Sequence, residues 1–235
     1  MVGMTKESTQ NYKCKYCESS FRRESTLAHH MCEKKRRWKQ EKETGVQWGL
    51  RTYLKFYDIT QGSSKTKSYE DFVESPYYSA FVKFGQYNVS IRSLNYLSYA
   101  EWLLKQNKKI DHWCKDSLYT EWLLQYLKKE SPQDAMERAL KTMEECSVES
   151  NPYFNFNEYF KQVGDGTICH HITTGKISPW VVYNCDSGID WLSNLNEEKA
   201  ELILPTIDPD FWNRKFKDYL ADSEWCRHIL KEAGL

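Results

Sequence analysis

Cys14-Lys15-Tyr16-Cys17 constrains this chain more than any other feature, because two cysteines two residues apart let one tight turn present both sulfurs to a single tetrahedral metal ion. The next donors along the chain are His29, His30 and Cys32, and positions 34 to 36 then offer only the cations Lys34, Lys35 and Arg36. Cys32 is therefore the nearest fourth donor. Positions i and i+2 lie on opposite sides of an α-helix, so His30 and Cys32 can share a metal only if the helix ends or tightens between them. His29 and Cys32 are i and i+3, on one helix face. The reading is a zinc ion held by Cys14, Cys17, His30 and Cys32, with His29 as the substitute for His30.

Residues 12–32 resemble the two-cysteine, two-histidine zinc-finger family, with Cys32 standing in place of the last histidine. The resemblance implies a ββα finger whose small core is Tyr12, Phe21 and Leu27, and whose folding free energy comes from zinc. It also implies base-reading positions at Arg23, Thr26 and His29, with Ser25 as a supporting contact and Arg22 beside them. One finger reads only about three base pairs. Most of the affinity must then come from Lys34, Lys35, Arg36, Arg37 and Lys39 on phosphates, while Trp38 either stacks on a base or anchors this stretch to the rest of the chain. The expected partner is nucleic acid, DNA rather than RNA. The alternative is a zinc-dependent protein-protein adaptor with a solvated basic face. A finger running directly into a basic, Trp-containing helix also resembles zinc-finger proteins of large tailed bacteriophages, which implies a host cytoplasm and no particular activity.

Charge supports the division. The whole chain has no net charge, yet residues 1–45 carry eleven Lys and Arg against six Glu, leaving the remainder at −5. Polyanion binding is therefore expected only in the first section, and the domains are read as 1–45, finger and basic extension, and 46–235, a helical domain that docks a protein partner. No window approaches eighteen uninterrupted apolar residues and the first residues lack an apolar stretch, so the expectation is a cytoplasmic protein that meets no membrane. Eight cysteines in such a chain are read as thiols and metal ligands rather than disulfides.

The fold expected is mainly α. Leu50, Tyr53, Leu54 and Tyr57 keep helical spacing over 46–59, and further helices are expected at 69–87 with a break near Pro76, at 93–107 and at 116–130. Ser131-Pro132, Ser178-Pro179 and Asp208-Pro209 each read as a cap followed by Pro at the first helical position, and a last helix is expected at 222–233. Residues 99–109 (YAEWLLKQNKK) and 119–129 (YTEWLLQYLKK) are near-copies, expected to pack as a hairpin in one core. A short hairpin is expected at 167–177. On such a strand Cys169-His170-His171-Ile172 resembles the first strand of His-Asn-His nucleases, which implies metal-dependent cleavage with Asn184 as the nearest further match, and Cys169, His171 and Cys185 would be candidates for a second metal. The residues assign no catalytic group and no small-molecule substrate. The reading is a non-enzymatic accessory or regulatory protein.

Overall fold

The structure is a computed structural model that describes residues 11–62 and 67–235; Ser63, Ser64 and Lys65, in the polar stretch that the sequence places between the helices expected at 46–59 and 69–87, lie outside the described residues. Two compact units, Met1–Lys115 and Asp116–Leu235, make up the chain.

The first unit begins with β1 (Tyr12–Lys13) and β2 (Ser20–Phe21), an antiparallel pair with Tyr12 opposite Phe21, followed by α1 (Glu24–His29) and α2 (Glu33–Lys39). Then come α3 (Thr44–Gln61), α4 (Tyr69–Glu74), α5 (Tyr78–Ser90) and α6 (Tyr96–Lys105). A capping box opens α4: the Ser68 hydroxyl accepts from the Asp71 amide, and the Asp71 carboxylate accepts from the Ser68 amide at 2.7 Å. Pro76 keeps Ser75 extended and separates α4 from α5. The α3 and α5 backbones meet at glycines. A Cβ on Gly85 would stand 2.0 Å from the Gly45 carbonyl oxygen and 2.6 Å from the Gly49 amide nitrogen, so only glycine permits this approach. Around it, Tyr53, Phe72, Phe81, Phe84, Tyr99 and Trp113 form a buried aromatic core. The three polar rings each donate to a carbonyl: Tyr53 to Asp71 at 3.4 Å, Tyr99 to Trp113 at 3.0 Å and the Trp113 indole to Lys108 at 2.9 Å.

The second unit runs α7 (Asp116–Leu127), α8 (Pro132–Glu149), α9 (Tyr159–Gln162), α10 (Asp165–Thr173), α11 (Pro179–Val182), α12 (Asp186–Ser193), α13 (Glu197–Ile207), α14 (Pro209–Asp218) and α15 (Leu220–Glu232). Ser131, Ser178 and Asp208 each cap a helix through the side chain with Pro in the first turn, as their sequence implies. The core is built on Met143, Tyr159, Ile168, Ile172, Trp180 and Trp212, with Cys169, Cys185 and Cys226 buried among its apolar residues. The two near-copies are divided between the units: the first supplies α6 and the second α7.

The chain is thus mainly helical, and β1 and β2 are the only strands among the described residues. The hairpin expected at 167–177 is instead α10 and the turn after it. Ile168 and Ile172, four residues apart, are both fully buried, and this packing outweighs the strand preference of isoleucine and threonine. No helix among the described residues is long and apolar enough to cross a membrane.

Candidate metal centre

The first two donors sit on one turn. After β1, the Cys14 amide donates to the Ser19 carbonyl at 2.9 Å and the Glu18 amide returns to the Cys14 carbonyl at 2.8 Å, which folds Cys14 and Cys17 onto the same side. Glu18 takes a left-handed conformation (φ 59°) to close the turn, a demand that its side chain does not announce.

The other two donors come from a break between helices. The last residue of α1 is His29; His30 is extended (φ −65°, ψ 124°), and Cys32 is extended (φ −79°, ψ 164°) as the N-cap of α2, its Sγ accepting from the Lys35 amide at 3.4 Å. The helix therefore ends where sharing between His30 and Cys32 requires it to end. His30 joins the cluster, and the exposed His29 does not. The ligand atoms of Cys14, Cys17, His30 and Cys32 all lie within 4.8 Å of one another. Cys17 Sγ is 3.2 Å from His30 Nε2, and Cys14 Sγ is 4.0 Å from Cys32 Sγ. Zinc-ligand bonds of about 2.0 to 2.3 Å in a tetrahedron give ligand-ligand edges of about 3.5 to 3.8 Å, which these two separations bracket, so the four donors could hold a metal ion.

The surroundings favour a metal. Hydrogen bonding with Ser19, hydroxyl first and backbone second, together with His30, lowers the Cys17 thiol to about 6, whereas burial raises Cys32. Three sulfurs and an imidazole suit a soft or borderline ion such as zinc. The local apolar core is minimal: Tyr12, Phe21 and Leu27 are only half-buried, and Cys14 is the sole buried residue between positions 11 and 40. The Phe21 ring packs on the His30 ring at a centroid distance of 4.7 Å, which ties the apolar contact to one of the four donors.

The basic residues divide into two groups. Arg22, Arg23, Ser25, Thr26, Arg36 and Lys39 are exposed. Lys35 donates to the His30 carbonyl at 2.9 Å, beside the four-donor cluster. Lys34 pairs with Glu74 at 2.7 Å. Arg37 donates to the Val73 carbonyl at 2.5 Å, pairs with Glu33 and lies 4.4 Å over the Tyr78 ring. The Tyr69 hydroxyl donates to the Arg37 carbonyl at 2.7 Å, and Trp38 meets Tyr69 edge-on at 5.1 Å. Of the two roles open to Trp38, anchoring is the one seen. Charge alone did not distinguish Arg37, which binds α4 and α5, from its exposed neighbour Arg36.

The nuclease-like segment has different surroundings. Cys169, His170, His171 and Ile172 lie on helix α10, not on a strand. The i and i+2 positions then diverge, so Cys169 and His171 do not form the expected pair. The Tyr159 hydroxyl stands 2.6 Å from His171 Nδ1, and burial lowers His171 to about 4. Asn184 donates to the Trp180 carbonyl at 2.9 Å and accepts from Ser223 at 2.7 Å, deep in the core. Among the described residues, Cys14, Cys17, His30 and Cys32 are the only His, Cys, Asp or Glu group placed to hold a metal, so Cys169, His171 and Cys185 do not make a second site.

Comparison with protein families, with curated proteins and with solved structures finds no match to this chain.

Proposed function

We propose that the cluster binds one structural zinc ion and that the finger so formed binds nucleic acid, DNA rather than RNA, in an accessory or regulatory role without catalysis. The observation that carries this reading is the four-donor cluster, whose third and fourth ligands meet only because the chain breaks between α1 and α2. Four exposed cations, Arg22, Arg23, Arg36 and Lys39, flank that break and are available to phosphates. Lys34 and Arg37, already engaged with α4 and its neighbours, contribute less. Arg23 is the base-reading candidate, with Ser25 and Thr26 beside it.

If those four cations each displace one counterion, log affinity falls with log salt at a slope of about −3 to −4. Duplex binding should show this slope, should be lost in the Arg22→Ala/Arg23→Ala/Arg36→Ala/Lys39→Ala variant, and should require zinc. Binding that keeps its strength in that variant, or after zinc removal, contradicts the reading.

A second reading, a zinc-dependent protein adaptor, is favoured by the engagement of Lys34, Arg37 and Trp38 with α4 and α5. There the metal would set the shape of a docking surface. Absence of nucleic-acid binding, together with capture of a partner protein only by the zinc-loaded chain, would support it.

A further inference from the structure

A cleft of about 800 Å³ opens in the second unit between the turn before α8 and the junction of α14 and α15. That volume falls in the range of small-molecule sites. Its walls combine two chemistries. Lys128, Lys129 and Arg214 reach it, and among the described residues none of the three has a carboxylate partner. Lys128 lies with its ammonium 4.5 Å over the half-buried Phe211 ring, and Tyr219, 55% exposed, supplies open ring surface beside them.

The deep wall is rigid. Lys215 donates to the Lys128 carbonyl at 2.7 Å, with its ammonium 5.0 Å from both the Trp180 and the Trp212 rings. Glu130, also lining the cleft, is already engaged, because Arg138 pairs with it at 2.6 Å and Ser178 donates to it at 2.8 Å. Trp180 is 1% exposed, and its indole N–H finds no acceptor among the described residues. Asp218 and Asp222 complete the lining and have no ion-pair partner among the described residues; they suit hydroxyl or amino donors.

We propose that this cleft binds a phosphomonoester carrying a planar ring and hydroxyl groups, the chemistry of a nucleoside monophosphate. The phosphate faces Lys129 and Arg214, with Lys128 held over Phe211 behind them, the ring lies against Tyr219, and the ribose hydroxyls donate to Asp218 or Asp222. The cations, the Tyr219 ring and the two carboxylates then each have a counterpart, which neither a bare anion nor an uncharged ring provides.

The test is calorimetric titration of the full, zinc-loaded chain with adenosine 5′-monophosphate, adenosine and inorganic phosphate. The expected result is saturable one-site binding of the nucleotide, with adenosine and phosphate each weaker by about tenfold or more. Lys129 and Arg214 are exposed, so Lys129→Ala/Arg214→Ala should leave the fold intact and weaken the nucleotide by about tenfold or more. Arg22→Ala/Arg23→Ala, on the finger, should change nothing. No saturable binding at millimolar nucleotide, equal binding of adenosine, or equal affinity in the Lys129→Ala/Arg214→Ala variant would overturn the proposal. So would loss of binding in the finger variant alone.

Discussion

The finger and the second unit use cysteine in opposite ways. Both contain a cysteine that caps a helix: Cys32 Sγ accepts from the Lys35 amide at 3.4 Å, and Cys185 Sγ accepts from the Gly188 amide at 3.3 Å. Cys32 stands among three other donors with hardly any apolar cover. Cys185 stands among tryptophans, isoleucines and valines and, among the described residues, belongs to no cluster of three or more donors. The same residue in the same backbone role is a candidate metal ligand where the core is too small to hold the chain and a packing unit where the core suffices. Order in the finger should therefore depend on metal, and order in the second unit on apolar burial.

The largest effect should come from removing the metal. Apparent zinc-binding free energies in isolated fingers are about 10 to 16 kcal/mol, far beyond what Tyr12, Phe21 and Leu27 can supply. A strong chelator should abolish amide protection across residues 12–32, measured by hydrogen exchange, and leave α8, α10 and α15 protected. Simultaneous loss in the second unit would break the contrast.

Next is Gly85→Ala. The added carbon would overlap the Gly45 carbonyl, and overpacking of this kind costs about 1 to 3 kcal/mol or more. Chemical denaturation should show the loss in the first unit alone, with zinc content unchanged.

Acid should act on the second unit through His171. Its folded value of about 4 lies below the ordinary 6.5, so the unfolded chain takes up the proton more readily. Stability contributed by the neutral ring is complete above pH 6.5 and is lost as pH falls from there towards 4. His171→Phe should flatten that part of the stability profile; an unchanged slope assigns it to other groups.

The smallest effect is expected from Lys34→Ala. Its ion pair with Glu74 is exposed on both sides, and such pairs contribute little. The melting temperature should stay within error, whereas Arg37→Ala, which strips a carbonyl contact and a ring contact, should lower it measurably.

Much of this was legible in the sequence, for physical reasons that differ by region. Helix starts were marked because a cap and a proline act locally: Ser131, Ser178 and Asp208 open α8, α11 and α14. The four donors were legible because metal geometry limits spacing so tightly, and the choice of His30 over His29 reduced to whether α1 ends at residue 29. By contrast, α10 was misread as a strand because Thr167, Ile168, Ile172 and Thr173 carry strand preferences that long-range packing overrides. The fate of the cations was hidden too. Nothing local tells Arg37, spent on Val73 and Tyr78, from the exposed Arg36. The net charge of −5 beyond residue 45 likewise gave no sign that Lys128, Lys129 and Arg214 converge on one cleft.

The most direct test of the account is zinc content by elemental analysis with X-ray absorption at the zinc edge, on the purified chain and on Cys32→Ser. One zinc per chain in a three-sulfur, one-nitrogen shell is expected, with loss or marked weakening of that zinc in the variant. A chain that purifies without zinc and takes up none, or a Cys32→Ser variant that keeps a full zinc in an unchanged shell, would contradict it.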